Sequence, residues 1–94
     1  KAGLIAMTKS LANELSAKMI TVNAVAPGMV DTPLNDKLNI DDHFKEIDKK
    51  KYLLGKRYAT LSEISEAINF LLSSKSSFIT GQSLVIDGGF TLTK

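Results

Sequence analysis

The residues with the most chemical promise lie in VNAVAPGMVDTPL, Val22 to Leu34, where an apolar run meets a Pro27-Gly28 break and then Asp31-Thr32-Pro33. Asp or Thr caps a helix well, and Pro suits the first helical position. Such a break admits two readings. One is plain turn chemistry. The other is an edge that faces a ligand, because the N-terminus of a helix offers backbone N–H groups to a polar partner. On the residues alone, a simple N-cap and a ligand contact weigh equally for Thr32.

Other candidates carry less. His43 has neither a Ser or Asp partner at triad spacing nor a second metal ligand, so it reads as a surface helix residue, and no metal site is expected. Asp87, at a strand end before Gly88-Gly89, reads as a turn organiser rather than an acid or base. Asn23 reads as a structural hydrogen-bonder. Lys49-Lys50-Lys51 follows a helical pattern that opens with Asp41-Asp42, a charge order that suits the helix dipole at both ends. That makes the lysines a solvated helix end, and with no aromatic interleaving they do not suggest nucleic acid. Lys1, as one of 12 Lys and Arg residues, would by itself be solvated surface.

The elements that must position these residues follow from pattern. Leu4, Met7, Leu11 and Leu15, with Ile5, Ala12 and Met19 alongside, make a wide apolar stripe on a helix from Ala2 to about Lys18, which reads as core packing. Ile20–Ala26 is β-branched and apolar in both alternation sets, a strand expected to be covered on both faces. A second amphipathic helix spans Asn39 to Lys51, with Ile40, Phe44 and Ile47 on one side. Thr60-Leu61-Ser62-Glu63 is a capping box, opening a helix that turns Leu61, Ile64, Ile68, Leu71 and Leu72 inward. Ser83–Asp87 is a second strand, ended by Gly88-Gly89. Two strands joined by a long helical crossover are parallel with a right-handed connection.

Bulk properties bound the rest. With 94 residues, 44% hydrophobic and 23% charged, the composition is that of one globular domain at most. A net charge of +2 implies neither a nucleic-acid nor a membrane partner. The chain has no cysteine, which is consistent with a cytoplasmic protein. No apolar run reaches the length of a membrane span. The helical pattern that starts at Lys1 has no initiator Met and no N-cap, so the chain is expected to begin inside something larger. Two parallel strands also need further strands to form a stable sheet.

In order along nearly the whole chain, these pieces resemble the short-chain dehydrogenases/reductases. Lys1-Ala2-Gly3-Leu4 followed by Thr8-Lys9-Ser10-Leu11-Ala12 looks like the helix that begins at the family's Tyr-x-x-x-Lys motif. Val22 to Thr32 looks like its strand-and-turn signature. Glu63-Ile64, Phe70-Leu71-Leu72, Ile79-Thr80-Gly81-Gln82 and Val85-Ile86-Asp87-Gly88-Gly89 match its C-terminal signature. The family often has Gly and Pro where this chain has Ala59 and Leu61, a departure in the loop before the capping box.

The resemblance implies an α/β fold, the C-terminal part of a Rossmann-type doubly wound parallel sheet ordered helix–strand–helical lid–helix–strand, with residues 1–94 one portion of a single domain and no complete second domain. It implies an NAD(P)-dependent oxidoreductase that moves hydride between the nicotinamide and a small carbonyl or alcohol substrate. A 3-oxoacyl-carrier-protein reductase fits, as do sugar-alcohol and steroid dehydrogenases. Lys1 becomes the catalytic lysine, its ammonium holding the cofactor ribose and lowering the pKa of a nearby tyrosine. Pro27 and Gly28 shape the turn, Val30 touches the carboxamide through its backbone, and Thr32 hydrogen-bonds to it or to a phosphate. The excursion from Pro33 to Arg57 becomes a substrate lid, with Met29, Leu34, Phe44, Tyr52 and Leu53 either lining the site or serving as core. The phosphate loop, the residue choosing NAD or NADP, and the catalytic Ser and Tyr would all lie before Lys1, so the 94-residue piece alone is expected to be inactive. A homo-oligomer is expected of the whole protein. The alternative is a non-catalytic module that assembles through its apolar helix and strand edges.

Overall fold

A computed structural model describes residues 2–38 and 41–93. Their contacts gather into two units, Lys1–Ala26 with Glu66–Val85 and Pro27–Ser65 with Ile86–Lys94. The elements in chain order are α1 (Ala2–Leu15), β1 (Ala24–Pro27), α2 (Pro33–Lys37), α3 (Asp42–Lys49), α4 (Leu61–Leu72) and β2 (Ser83–Ile86), with single 3-10 turns at Ser16–Lys18, Ser74–Ser76 and Phe90–Leu92.

β1 and β2 are hydrogen-bonded neighbours. The Ala24 N–H donates to the Gln82 carbonyl at 2.8 Å and the Gly28 N–H to the Ile86 carbonyl at 2.9 Å. Both ends of the pair keep the same residue offset, which fixes a parallel ladder, as the crossover predicts. Helices and a parallel strand pair in this chain order make an α/β arrangement of the Rossmann type.

In the first unit, α1 ends in a 3-10 turn closed by Met19, which takes a left-handed conformation and donates its N–H to the Ser16 carbonyl at 2.9 Å. The apolar stripe does not pack as a core. Leu4 and Met7 are 52% and 55% exposed, and the buried residues of α1 are Thr8 and Ala12. Thr8 tolerates burial because its hydroxyl donates back to the Leu4 carbonyl at 2.7 Å. Ala12 lies opposite Gly81, where an added Cβ would sit 3.5 Å from the alanine methyl.

The first strand starts later than its apolar run predicts. Val22 and Asn23 are held largely by side-chain bonds, together with one backbone bond from the Gly81 N–H to the Val22 carbonyl at 2.7 Å. The Val22 N–H donates to Thr80 Oγ1 at 3.0 Å, while Asn23 Nδ2 donates to the Ile79 carbonyl and Asn23 Oδ1 accepts from the Gln82 N–H, both at 3.0 Å. Asn23 is thus the structural hydrogen-bonder its position suggests. Residues 24–26 are half-buried and Leu84 and Val85 are exposed. The described residues therefore do not cover the strands on both faces, although the sequence of β1 is apolar enough to be covered so.

The second unit holds the excursion. Pro33 opens α2, as a first-position proline should. Asp41 caps α3, its side chain accepting from the His43 N–H at 3.2 Å. The helix is shorter than the Asn39–Lys51 pattern suggests; Asn39 and Ile40 lie outside the described residues, and Lys50 and Lys51 lie in the turn that closes the helix, the Lys51 N–H donating to the Asp48 carbonyl at 3.0 Å. Its burial is also inverted. Phe44 and Ile47 are exposed, and the buried residue is Asp48.

The capping box at α4 is complete. Glu63 Oε1 accepts from the Thr60 N–H at 2.8 Å, and the Glu63 N–H reaches Thr60 Oγ1 at 3.3 Å. Of the apolar residues expected to face inward along α4, Ile64 is buried, but Leu61 and Leu72 are 66% and 80% exposed. No helix among the described residues is long and apolar enough to cross a membrane.

Candidate functional site

The segment from Pro27 to Thr32 leaves the carboxyl end of β1, the end at which open parallel sheets bind their ligands. Its path is fixed residue by residue. After the Gly28 bond to Ile86, the Met29 N–H donates to the Tyr52 hydroxyl at 3.0 Å. The Ala59 N–H then donates to the Met29 carbonyl at 3.1 Å, and the Asp31 N–H to the Ala59 carbonyl at 2.9 Å. These two bonds flank Val30 and make it an isolated parallel bridge partner of Ala59. Thr32, half-buried, stands immediately before α2.

Gly28 is a packing requirement. A Cβ there would lie 2.9 Å from the Tyr52 ring and 3.2 Å from the Asp87 Cα, and the latter is backbone that cannot rotate away. Asp87 itself organises a turn. Its carboxylate accepts from the Gly89 N–H at 3.0 Å and the Thr91 N–H at 2.9 Å, and the Thr91 bond is the main reason its pKa falls below the usual value. Gly88 and Gly89, with φ of 56° and 90°, supply the left-handed backbone of that turn.

Gly28, Met29, Tyr52, Leu54, Arg57, Ala59, Glu63, Ile86, Asp87 and Gly88 line a cleft of about 140 Å³. Small-molecule sites run to roughly 300–1,000 Å³. The cleft falls below that range, and Gly28 and Met29 of the strand-end segment form part of its wall.

Behind that segment lies an aromatic cluster that the sequence pattern does not announce. Tyr52 and Tyr58 are each 5% exposed, with ring centroids 5.4 Å apart and planes at 83°. Tyr52 also lies 4.9 Å from the Phe90 ring. The Tyr58 hydroxyl donates to Asp48 Oδ2 at 3.0 Å. Burial, with that carboxylate beside it, pushes the Tyr58 phenol up to about 12. Beyond it, Arg57 grips Glu63 with two bonds, at 2.7 and 2.9 Å. Those bonds, helped by the Thr60 N–H, hold the Glu63 carboxyl down at about 2.

Of the residues singled out by sequence, Pro27, Gly28, Val30 and Thr32 fall on one continuous segment. Lys1 lies outside the described residues. His43 is exposed on α3. Among the apolar lid candidates, Met29 and Tyr52 line the cleft, whereas Leu34, Phe44 and Leu53 are exposed. Among the described residues, no group of three His, Asp or Glu side chains is placed to hold a metal.

Fold and strand-end segment together define a Rossmann-type α/β protein. The family model described as enoyl-(acyl carrier protein) reductase matches residues 1–91, and the chain belongs to this family of the short-chain dehydrogenases/reductases. It is 49% identical over 92 residues to the 3-oxoacyl-[acyl-carrier-protein] reductase FabG of Rickettsia bellii, covering 98% of this chain and 37% of that protein. The FabG of Thermotoga maritima is 44% identical over 92 residues, covering 98% of this chain and 36% of that protein. The crystal structure of a short chain dehydrogenase family protein from Francisella tularensis superposes with a TM-score of 0.84 at 40% identity, covering 99% of this chain and 42% of that one. The chain therefore spans little more than a third of the length of the curated relatives it matches.

Proposed function

We propose that the protein to which this chain belongs is an NAD(P)-dependent oxidoreductase, with Pro27, Gly28, Val30 and Thr32 at the nicotinamide end of the cofactor and Lys1 at its ribose. The observation that carries this reading is the placement of Gly28–Thr32 at the carboxyl end of a parallel strand, in a chain of this family. The segment fits such a group. Bonds at Met29 and Asp31 spend those N–H groups within the protein and hold the intervening Val30 backbone in a fixed, extended shape. A preformed edge of this kind binds without first ordering itself.

The chemistry such a cofactor supplies is hydride exchange with a carbonyl or alcohol carbon. What this chain contributes is orientation. Thr32 offers a hydroxyl next to a helix start, Val30 a positioned backbone, and Gly28 the close packing that sets both. Lys1 carries a positive charge toward the ribose and favours ionisation of a neighbouring phenol. The tyrosine that partners this lysine in the family is not among the 94 residues, so the 94-residue chain alone is inactive in this account. The substrate class is a 3-oxoacyl thioester of a carrier protein, supported by the FabG relatives.

The protein is proposed to act as a homo-oligomer, supported by the exposed Leu4, Met7 and Leu11 on α1. If that assembly were its whole role, the intact protein would associate without turning over. The test is oxidation of NADPH and NADH by the intact protein in the presence of a 3-oxoacyl thioester. Turnover with at least one cofactor is expected; association without turnover on either would favour the non-catalytic module.

A further inference from the structure

Within the second unit, a chain of contacts runs from the excursion helix α3 to the strand-end segment. It begins at Asp48, which is 9% exposed, the one buried side chain of its helix. Asp48 accepts the Tyr58 hydroxyl at 3.0 Å. The Tyr58 ring meets the Tyr52 ring edge to face at 5.4 Å, and the Tyr52 hydroxyl accepts the Met29 N–H at 3.0 Å. Met29 sits between Gly28 and Val30. Tyr58 is also followed directly by Ala59, whose N–H and carbonyl bond the Met29 carbonyl and the Asp31 N–H. The same tyrosine therefore borders the segment twice, once through a ring and once through the backbone.

From this geometry we infer that Asp48, Tyr58 and Tyr52 act as positioning residues: the seating of α3 on Tyr58 sets the conformation of Met29–Asp31, and so the pose of whatever that segment binds. Two features of the physics favour it. A buried carboxylate is costly unless a donor satisfies it, so Asp48 pins α3 to the Tyr58 hydroxyl, and the Lys49 ammonium, 5.2 Å from the Tyr58 ring centroid, adds a second contact from the same helix. A phenol locked by a hydrogen bond at its tip and a ring at its face keeps few alternatives, and tightly packed aromatic contacts pass displacement on rather than absorbing it. Phe44 and Ile47 are each about half exposed, which leaves Asp48 as the one buried side chain of the helix.

The consequence for the proposed oxidoreductase rests on that functional reading, but the coupling itself does not. Two readouts separate them. The first is amide hydrogen exchange of residues 28–32 in the intact protein without cofactor. Tyr58→Phe keeps the ring and removes the bond to Asp48. Asp48→Asn keeps an acceptor oxygen for Tyr58, and Asp48→Ala removes it. Tyr52→Phe frees the Met29 N–H directly. Exchange of 28–32 is expected to quicken by about threefold to tenfold in Tyr58→Phe, Asp48→Ala and Tyr52→Phe, the scale of one net hydrogen bond, and to stay near wild type in Asp48→Asn. The Tyr52→Phe and Tyr58→Phe effects should also be less than multiplicative when combined, because they act on one chain of contacts.

The second readout is the KM for cofactor, expected to rise in the same three variants by a similar factor and more than kcat falls. Quickened exchange with Asp48→Asn rescue supports the coupling, even if no nicotinamide cofactor binds and the functional reading fails. Exchange at 28–32 that stays at the wild-type rate in Tyr58→Phe and Asp48→Ala overturns it. An unchanged cofactor KM in a protein that does turn over overturns its extension to the site.

Discussion

The hydroxyl of Tyr58 donates to the carboxylate of Asp48 across 3.0 Å, and both residues are buried. A phenol so placed resists ionisation, because its anion would be desolvated beside another negative group. Its folded-state value near 12 lies above the ordinary 10.0. The contribution to stability is therefore complete below pH 10 and is lost as pH rises from about 10 through 12, on the order of 3 kcal/mol in all. A phenol-carbon NMR titration of the native protein, with the Tyr58 signal assigned by its loss in Tyr58→Phe, should show Tyr58 titrating near the upper value. Titration of Tyr58 near 10 in the folded protein would show that it is not held in this way.

Gly28 should not tolerate a side chain. Alanine there must displace the Tyr52 ring and the Asp87 backbone, a cost of about 1–3 kcal/mol by comparison with other overpacked sites. Denaturant unfolding of Gly28→Ala against wild type measures it. A change within a few tenths of a kcal/mol would mean that the strand ends part easily.

Asn23 joins two backbone groups across the turn that precedes β2. Removing both bonds in Asn23→Ala is expected to cost about 1–3 kcal/mol. Asn23→Asp keeps the acceptor for the Gln82 N–H and loses the donor to Ile79, so it should fall between alanine and wild type. Thermal unfolding of the three proteins gives the order, and an aspartate variant as weak as the alanine would contradict it.

Glu63 makes an acid-side prediction. With its carboxyl held near 2 by Arg57, and by the Thr60 N–H, its contribution is present above the ordinary value of 4.5 and disappears as pH falls toward 2. Both side chains are about half exposed, so salt should weaken the effect. Carboxyl-carbon NMR titration of Glu63 reads the value directly, and Arg57→Ala should return it toward 4.5. Thr60→Ala should separately cost about 1 kcal/mol as a lost N-cap.

Local rules made much of this readable from the sequence. The capping box, Pro33 at the start of α2 and the Asp87-Gly88-Gly89 turn each depend on neighbours a few residues away, and each stands where its pattern says. What escaped depends on distant partners. Asp48 looks like the polar side of an amphipathic helix, and only Tyr58, ten residues on, makes its burial tolerable. Val22 and Asn23 look like strand, yet Thr80, Ile79 and Gln82 bind them through side chains and shorten β1. The Leu4–Leu15 stripe and Leu61 and Leu72 read as core because apolar spacing records that a face can be covered and not what covers it. In the candidate site, the backbone path of Gly28–Thr32 was legible as a strand end, whereas the Tyr52 hydroxyl that fixes Met29 looked like one more apolar side chain.

The central claim is that Gly28–Thr32 holds the nicotinamide end of a cofactor. Thr32→Val keeps the side chain's volume and removes its hydroxyl, so equilibrium titration of NADPH and NADH into the intact wild-type and Thr32→Val proteins tests the claim most directly. The account predicts that wild type binds at least one of the two and that the variant binds it about threefold to tenfold more weakly, the scale of one hydrogen bond. Absence of binding to wild type, or equal affinity in the variant, would contradict it.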